Sequence, residues 1–443
     1  MSSARATAQA EISHRRVLKI ALPIVLSNAT VPILGAVDVG VVGQMGEAAP
    51  IGAVGLGAII LTTIYWIFGF LRMGTVGLVG QAEGAGDKAE VSAWLTRALV
   101  VALASGFMLI VLQPLIFWAA LQLAPASDEV ESLARQYLTI RIWTAPAAIA
   151  VYALTGWLVA MEKTAGVFWV QLTMNGVNIL LDLLFVLVFD WGVPGVAIAT
   201  VIAEITGAAL GLWFCRDAFA RRDWRDWPRI FNRAKLVRMA LLNTDILLRS
   251  AMLMIIFSSF VFLGARFGDV TLAANEVLIQ FMYITAYAMD GFAFAAETLI
   301  ARAVGRGDTA HVRRSAVVTS IWGATICVTM SLAFALAGPW IIDLMAKDPD
   351  VQSTARNFLP YMVIAPLVGC AAWMLDGIFI GATRSRDMRN MMALSFVIYW
   401  VAVFVLLPWL GNHGLWMALL ISFIARGVTL GLRYPALERQ AEA

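Results

Sequence analysis

Charge is what this sequence has least of: Asp, Glu, Lys and Arg make up 14% of 443 residues, where a soluble globular chain carries roughly 25%. Hydrophobic residues make up 61% and mean hydropathy is +0.81. So little polar surface cannot cover a soluble core of this size, which excludes a water-soluble domain and makes lipid the expected solvent. Cysteine and histidine are also scarce. Cys215, Cys327 and Cys370 lie singly in or beside apolar stretches, so no disulfide framework or paired metal motif follows. His14, His311 and His413 are far apart and lack the spacing of a zinc site. No Gly-Lys-Ser/Thr occurs, and Gly84-Ala85-Gly86-Asp87-Lys88 is not a phosphate-binding loop, which argues against direct ATP drive. Without a nucleophile or histidine constellation, an enzyme is not expected.

What is present is a series of apolar runs of membrane-crossing length, bounded by Gly, Pro and charged clusters. They predict twelve helices near 18–43, 51–80, 92–120, 134–160, 167–189, 193–215, 236–263, 272–301, 315–346, 355–381, 391–410 and 414–433. With both termini in the cytoplasm, 24 of the 32 Lys and Arg fall on the cytoplasmic side and four outside, as the positive-inside rule requires. The remaining four, Arg72, Arg141, Arg249 and Arg426, lie within helices. The pair Arg15-Arg16 before the first run could suggest a signal peptide, but the run continues for about 24 residues and carries Asp38, so a retained first helix is expected.

The chain repeats itself. Gly84, Gly86 and Asp87 return 221 residues later as Gly305, Gly307 and Asp308. Ser127 through Leu138 parallels Asp348 through Leu359 at the same offset, and Gly156 matches Gly377. Gly192-Val193-Pro194-Gly195 aligns with Gly411-Asn412-His413-Gly414 at an offset of 219. Because each half has an even number of spans, the halves are parallel, related by an axis along the membrane normal. The expected fold class is an all-α polytopic membrane protein of two six-helix bundles: an N-lobe (1–215), a basic cytoplasmic linker (216–235) and a C-lobe (236–443). Such an organisation points to an alternating-access transporter. The linker, with Trp224 and Trp227 among its arginines, reads as a crossover lying on anionic headgroups rather than a nucleic-acid surface.

Ionisable groups inside spans are costly and mark functional sites. Asp38, Asp182 and Thr200 each lie roughly 8–11 Å below the outer surface at 1.5 Å per residue, so they could meet. Asn178 precedes Asp182 by four residues and Glu204 follows Thr200 by four, so each pair shares a helix face. Carboxylates with amide and hydroxyl oxygens could hold Na⁺ or exchange a proton; a structural polar cluster, with Arg141 as counter-ion, is the competing reading. In the second half, Asp245, Arg249, Asp290 and Asp376 form either an ion-pair network or a substrate site. Pro23 and Pro32 interrupt the first helix and permit a bend.

Several stretches resemble the multidrug and toxic compound extrusion (MATE) transporters, specifically the DinF subgroup. They are Ala21-Leu22-Pro23-Ile24 with Val37-Asp38, Phe70-Leu71-Arg72-Met73, Leu242-Asn243-Thr244-Asp245 through Arg249-Ser250, Ala286-Tyr287-Ala288-Met289-Asp290-Gly291-Phe292, Leu375-Asp376-Gly377 through Arg384, and Leu407-Pro408 through Trp416. The resemblance implies a secondary antiporter that exports amphipathic organic compounds in exchange for H⁺ or Na⁺. It implies a coupling site at Asp38, Asn178, Asp182 and Thr200, possible Na⁺ there, and a hinge at Pro23. Position 34, where some members carry tyrosine, is Leu34. A flippase for a lipid-linked substrate is the alternative. No cofactor beyond the coupling ion and no nucleic acid are expected; the expected partners are a small-molecule substrate and the lipid bilayer of the inner membrane, with the protein acting as a monomer.

Overall fold

The computed structural model describes residues 12–44, 48–123, 126–220 and 222–440. Twelve helical spans follow in order: α1 (His14–Gly43), α2 (Ala49–Gly84), α3 (Lys88–Leu123), α4 (Asp128–Ala160), α5 (Thr164–Val188), α6 (Gly192–Phe214), α7 (Arg233–Gly264), α8 (Asp269–Gly305), α9 (Thr309–Met345), α10 (Pro349–Gly381), α11 (Ser385–Leu410) and α12 (Asn412–Gln440). No strand occurs among the described residues. Among the described residues, eleven of the helices are long and apolar enough to cross a membrane. Val111, Leu336 and Phe404 keep 75–84% of their surface exposed inside their helices, a burial pattern suited to lipid contact rather than water. The protein is an integral membrane protein with the expected twelve helices. Several helices run past the apolar runs at their charged ends, as α9 does from Thr309 and α12 to Gln440. Hydropathy marks the part of a helix in lipid, while its hydrogen bonding continues into the aqueous turn.

Three helices depart from regularity. A turn at Phe68 and Gly69 divides α2 into a segment ending at Ile67 and a second, Phe70–Gly84. In α4 a 3₁₀ stretch, Ile142–Thr144, precedes Pro146, whose missing N–H favours such a junction. In α5 the α-helix ends at Asp182 and a π-helical segment, Leu183–Val188, takes over.

The internal repeat is written into the backbone. Gly86 and Gly307 both hold left-handed φ, +77° and +68°, which glycine adopts without steric cost. The next residue then caps the following helix: Asp87 accepts from the Glu90 N–H at 3.0 Å, and Asp308 from the His311 N–H at 3.0 Å. Ser127 and Asp348, a further matched pair, cap α4 and α10. Interhelix packing repeats too. A Cβ on Gly156 would stand 2.7 Å from the Arg72 carbonyl oxygen, and one on Gly377 would stand 2.7 Å from that of Ala293, both pairs separated by the same 221 residues.

The chain divides into two compact units. One comprises residues 26–79 and 87–239; the other comprises the described residues up to Val25, residues 80–86 and residues from Ala240 onward. In the second unit, Phe260 and Trp416 meet edge to face at 4.5 Å, and Phe281 meets Phe334 at 4.9 Å, in an aromatic-rich core. In the same unit the ends of α2 and α8 cross closely. A Cβ on Gly84 would lie 2.2 Å from the Arg302 carbonyl oxygen, and one on Gly305 would lie 2.0 Å from that of Gln81. Each helix thus offers a small residue where the other's backbone passes.

The linker between α6 and α7 belongs to the first unit, folds into three short helical turns and is fastened to α3. The fully buried Arg97 donates to the Ile230 carbonyl at 2.8 Å, the Arg229 carbonyl at 2.5 Å and Glu90 at 2.7 Å, and stacks 4.3 Å over Trp94. Trp227 and Phe231 remain half exposed, stacked on each other at 5.9 Å.

Candidate functional site

The residues expected to form the coupling site fall on α1, α5 and α6 in the first unit. Asp38 stands five residues before the end of α1 at Gly43, but its side chain, like that of Leu34, lies outside the described residues. On α5, Asn178 and Asp182 are buried, and the Asn178 amide donates to Asp182 Oδ2 across one turn. Asp182 is completely shielded, and a carboxylate at such depth requires polar partners. The helix changes from α to π directly after it, a local irregularity that recurs at functional sites. Thr200 on α6 is half buried and donates its hydroxyl proton to the Val196 carbonyl at 3.0 Å, which leaves its oxygen lone pairs available.

A polar layer not expected from the sequence lies next to this pair. Asn175, 3% exposed, donates to Thr30 of α1 at 2.8 Å and accepts from Gln171 at 3.0 Å; Thr30 donates to the Ser27 carbonyl at 2.7 Å. Through it α1 and α5 are joined by hydrogen bonds near Asp182. An amide in an otherwise apolar span was the available signal.

Glu204 shares a helix face with Thr200 but its carboxylate turns to α4. Arg141 donates to it at 2.6 Å and to Tyr137 at 2.7 Å, and Thr144 donates to its second oxygen. The 3₁₀ stretch of α4 places Thr144 so that it also reaches the Arg141 carbonyl at 2.8 Å. Glu204 and Arg141 therefore neutralise each other.

Of the four charged residues singled out in the second half, Arg249 and Asp376 pair directly, while Asp245 is held by α11. Arg249 pairs with Asp376 of α10 rather than with Asp245 one turn away on its own helix, and Arg426 of α12 approaches the same Asp376 oxygen at 3.7 Å. Asp245 receives Ser385 at 2.7 Å and is bridged by Arg389, both on α11. Asp290 lies half buried on α8. Among the described residues no group of three or more His, Cys, Asp or Glu is placed to hold a metal ion.

Comparison with known proteins accords with this architecture. The chain is 36% identical over 94% of its length to DNA damage-inducible protein F of Escherichia coli, covering 91% of that protein. It is 26% identical over 97% of its length to a probable multidrug resistance protein NorM of Rhizobium meliloti, covering 94% of it. In fold it is similar to the crystal structure of the Vibrio cholerae MATE transporter VcmN in the bent form, with a TM-score of 0.85, 19% identity, and 97% of each chain covered. A MOP superfamily transporter from Pyrococcus furiosus is similar in the same way, with a TM-score of 0.86, 14% identity, and 97% of each chain covered. The MatE family matches residues 23–184 and 246–405, one stretch in each half, and the chain belongs to that family of membrane transporters.

Proposed function

We propose that the protein is a secondary antiporter that exports amphipathic organic compounds while H⁺ or Na⁺ moves inward, its lobes 1–215 and 236–443 exposing a substrate site alternately to the two sides and joined by the linker 216–235. The carrying observation is the fully buried Asn178–Asp182 pair at membrane depth, followed at once by a π-helical segment. A carboxylate so placed can be neutralised by a proton or by Na⁺ held among Asp38, Asn178, Asp182 and Thr200, and neutralisation removes the cost of burying it. Pro23 supports a hinge in α1, because the division between the two compact units falls in this helix directly after Val25. The names of the relatives support drug or toxin efflux. The 24 cytoplasmic basic residues support inner-membrane insertion with both termini inside. The antiporter acts as a monomer.

The test is efflux of an amphipathic dye from proteoliposomes with ΔpH and ΔNa⁺ imposed separately. One gradient drives transport in the wild type, and Asp38→Asn or Asp182→Asn abolishes it while the protein remains monodisperse. Wild-type transport in both variants discards the coupling site. Failure of both gradients to drive any dye, with a labelled lipid-linked precursor crossing instead, establishes a flippase.

A further inference from the structure

Asp376 is shared by two arginines, and among the described residues that leaves a positive charge without an answering negative one. Arg249, Asp376 and Arg426 are 7%, 5% and 3% exposed and come from three helices of one unit. Arg426 is the central residue of the 29-residue α12. Asp376 attracts it and Arg249, on the same carboxylate oxygen, repels it. Its other contacts are a weak approach to Met392 Sδ at 3.9 Å and the Phe423 ring at 5.9 Å. Asp245 does not compensate, being engaged by Ser385 and Arg389. Nε of Arg249, Nε of Arg426 and Oδ1 of Asp376 are buried without hydrogen-bond partners among the described residues.

A buried guanidinium with one distant half-share of a carboxylate is expensive for a scaffold to keep. The fold does not require it. The positions matched in the first half, Thr30 and Gly207 at the offset of 219 and Thr155 at 221, carry no charge on the same framework. Two guanidinium forks converging on one carboxylate oxygen suit a second oxyanion, since planar N–H pairs bind carboxylates and sulfonates in two-point fashion. Asp376 Oδ1 stays available as an acceptor for a hydroxyl or ammonium beside that oxyanion.

We propose that Arg249 and Arg426, poised by Asp376, form a binding site for the oxyanion group of an amphipathic organic anion or zwitterion, so that the transported compounds include acids. The inference rests on the efflux reading for the ligand's role as cargo. It is tested by equilibrium binding with no gradient, so its failure is distinguishable from a failure of ion coupling.

The probes are carboxyfluorescein, an anion, and rhodamine 6G, a cation, titrated by fluorescence anisotropy against purified protein in nanodiscs of zwitterionic lipid in fluoride buffer, free of other carboxylates and sulfonates. Arg426→Gln weakens carboxyfluorescein about tenfold or more, the loss of a charge-assisted contact, and leaves rhodamine 6G within about twofold. Asp376→Asn removes the competing carboxylate and tightens carboxyfluorescein about threefold or more. If Arg426→Gln is not monodisperse, Asp376→Asn decides alone, because weakening a merely structural ion pair does not tighten an anion. Absence of saturable carboxyfluorescein binding, an unchanged affinity in the variants, or equal losses for both dyes overturns the proposal. A loss of about tenfold or more on replacing fluoride by chloride assigns the site to an inorganic ion and overturns it too.

Discussion

Arg97 fastens the linker at a bond that can be cut. It donates to the carbonyls of Arg229 and Ile230, and the Arg229 carbonyl is the one trypsin attacks when it cleaves after that arginine. Arg97→Met keeps the stem that packs beside Trp94 but removes all three donors. It also leaves Glu90, whose side chain is 6% exposed, without its closest cation; Arg229 at 3.6 Å and Lys235 at 3.8 Å soften that loss. Breaking a buried ion pair by removing one partner costs about 3–5 kcal/mol. Since each 1.4 kcal/mol is tenfold in an equilibrium, the open population of the segment rises roughly 10²-fold or more. Cleavage tracks that population when reclosing is faster than cutting. Intact-mass analysis of trypsin-treated protein in nanodiscs therefore shows cleavage at Arg229–Ile230 accelerated by about two orders of magnitude in Arg97→Met. Adding Glu90→Gln recovers part of the protection, because the stranded carboxylate is gone. A rate within about threefold of wild type would refute the account of Arg97 as the fastening.

Two glycine substitutions should move stability in opposite directions. Gly305→Ala drives a methyl into the Gln81 carbonyl and lowers the apparent Tm, whereas Gly176→Ala, with nothing within 4 Å of its Cβ, raises it by reason of helix propensity, about 0.5–1 kcal/mol; differential scanning fluorimetry reads both. Glu204→Leu strands Arg141 and costs about 3–5 kcal/mol, while joint replacement of Arg141 and Glu204 by apolar residues costs much less, measured by the same method. Asp308→Ala removes the cap of α9 and costs about 1 kcal/mol. The carboxyl of Asp308 is held below its usual range, chiefly by the His311 N–H. Its contribution as a cap is therefore lost only as pH falls through that depressed value, so the Tm gap between wild type and variant should close in acid.

The twelve helices, their order and the repeat could be read from the sequence because lipid imposes a simple rule on apolar length, and because turns such as Gly86-Asp87 and Gly307-Asp308 carry local signatures. Pairings between helices could not. Arg249 sits one turn from Asp245, yet it reaches Asp376, which is 127 residues away. Arg141 could be named as a counter-ion, but that it would claim Glu204 and withdraw it from the Thr200 face depends on how α4 meets α6. Arg97 looks like any cytoplasmic arginine in the sequence; only the folded linker shows it wholly buried. Asn175 carries no charge, and its bond to Thr30 depends on how α5 meets α1. In each case the sequence holds the residue, and tertiary packing selects its partner.

The crossing of α2 and α8 has the form of an isologous contact. Residue 84 meets residue 302, and residue 305 meets residue 81, with each pair of numbers exchanged by the 221-residue offset. This is the rule obeyed by a two-fold homodimer, in which a patch meets its own copy, here enclosed within one polypeptide. A symmetric dimer would suffer any substitution at this contact twice. In the single chain the two sides can change independently, so one helix can relax its glycine while the other keeps close approach, a freedom that separate identical subunits never have.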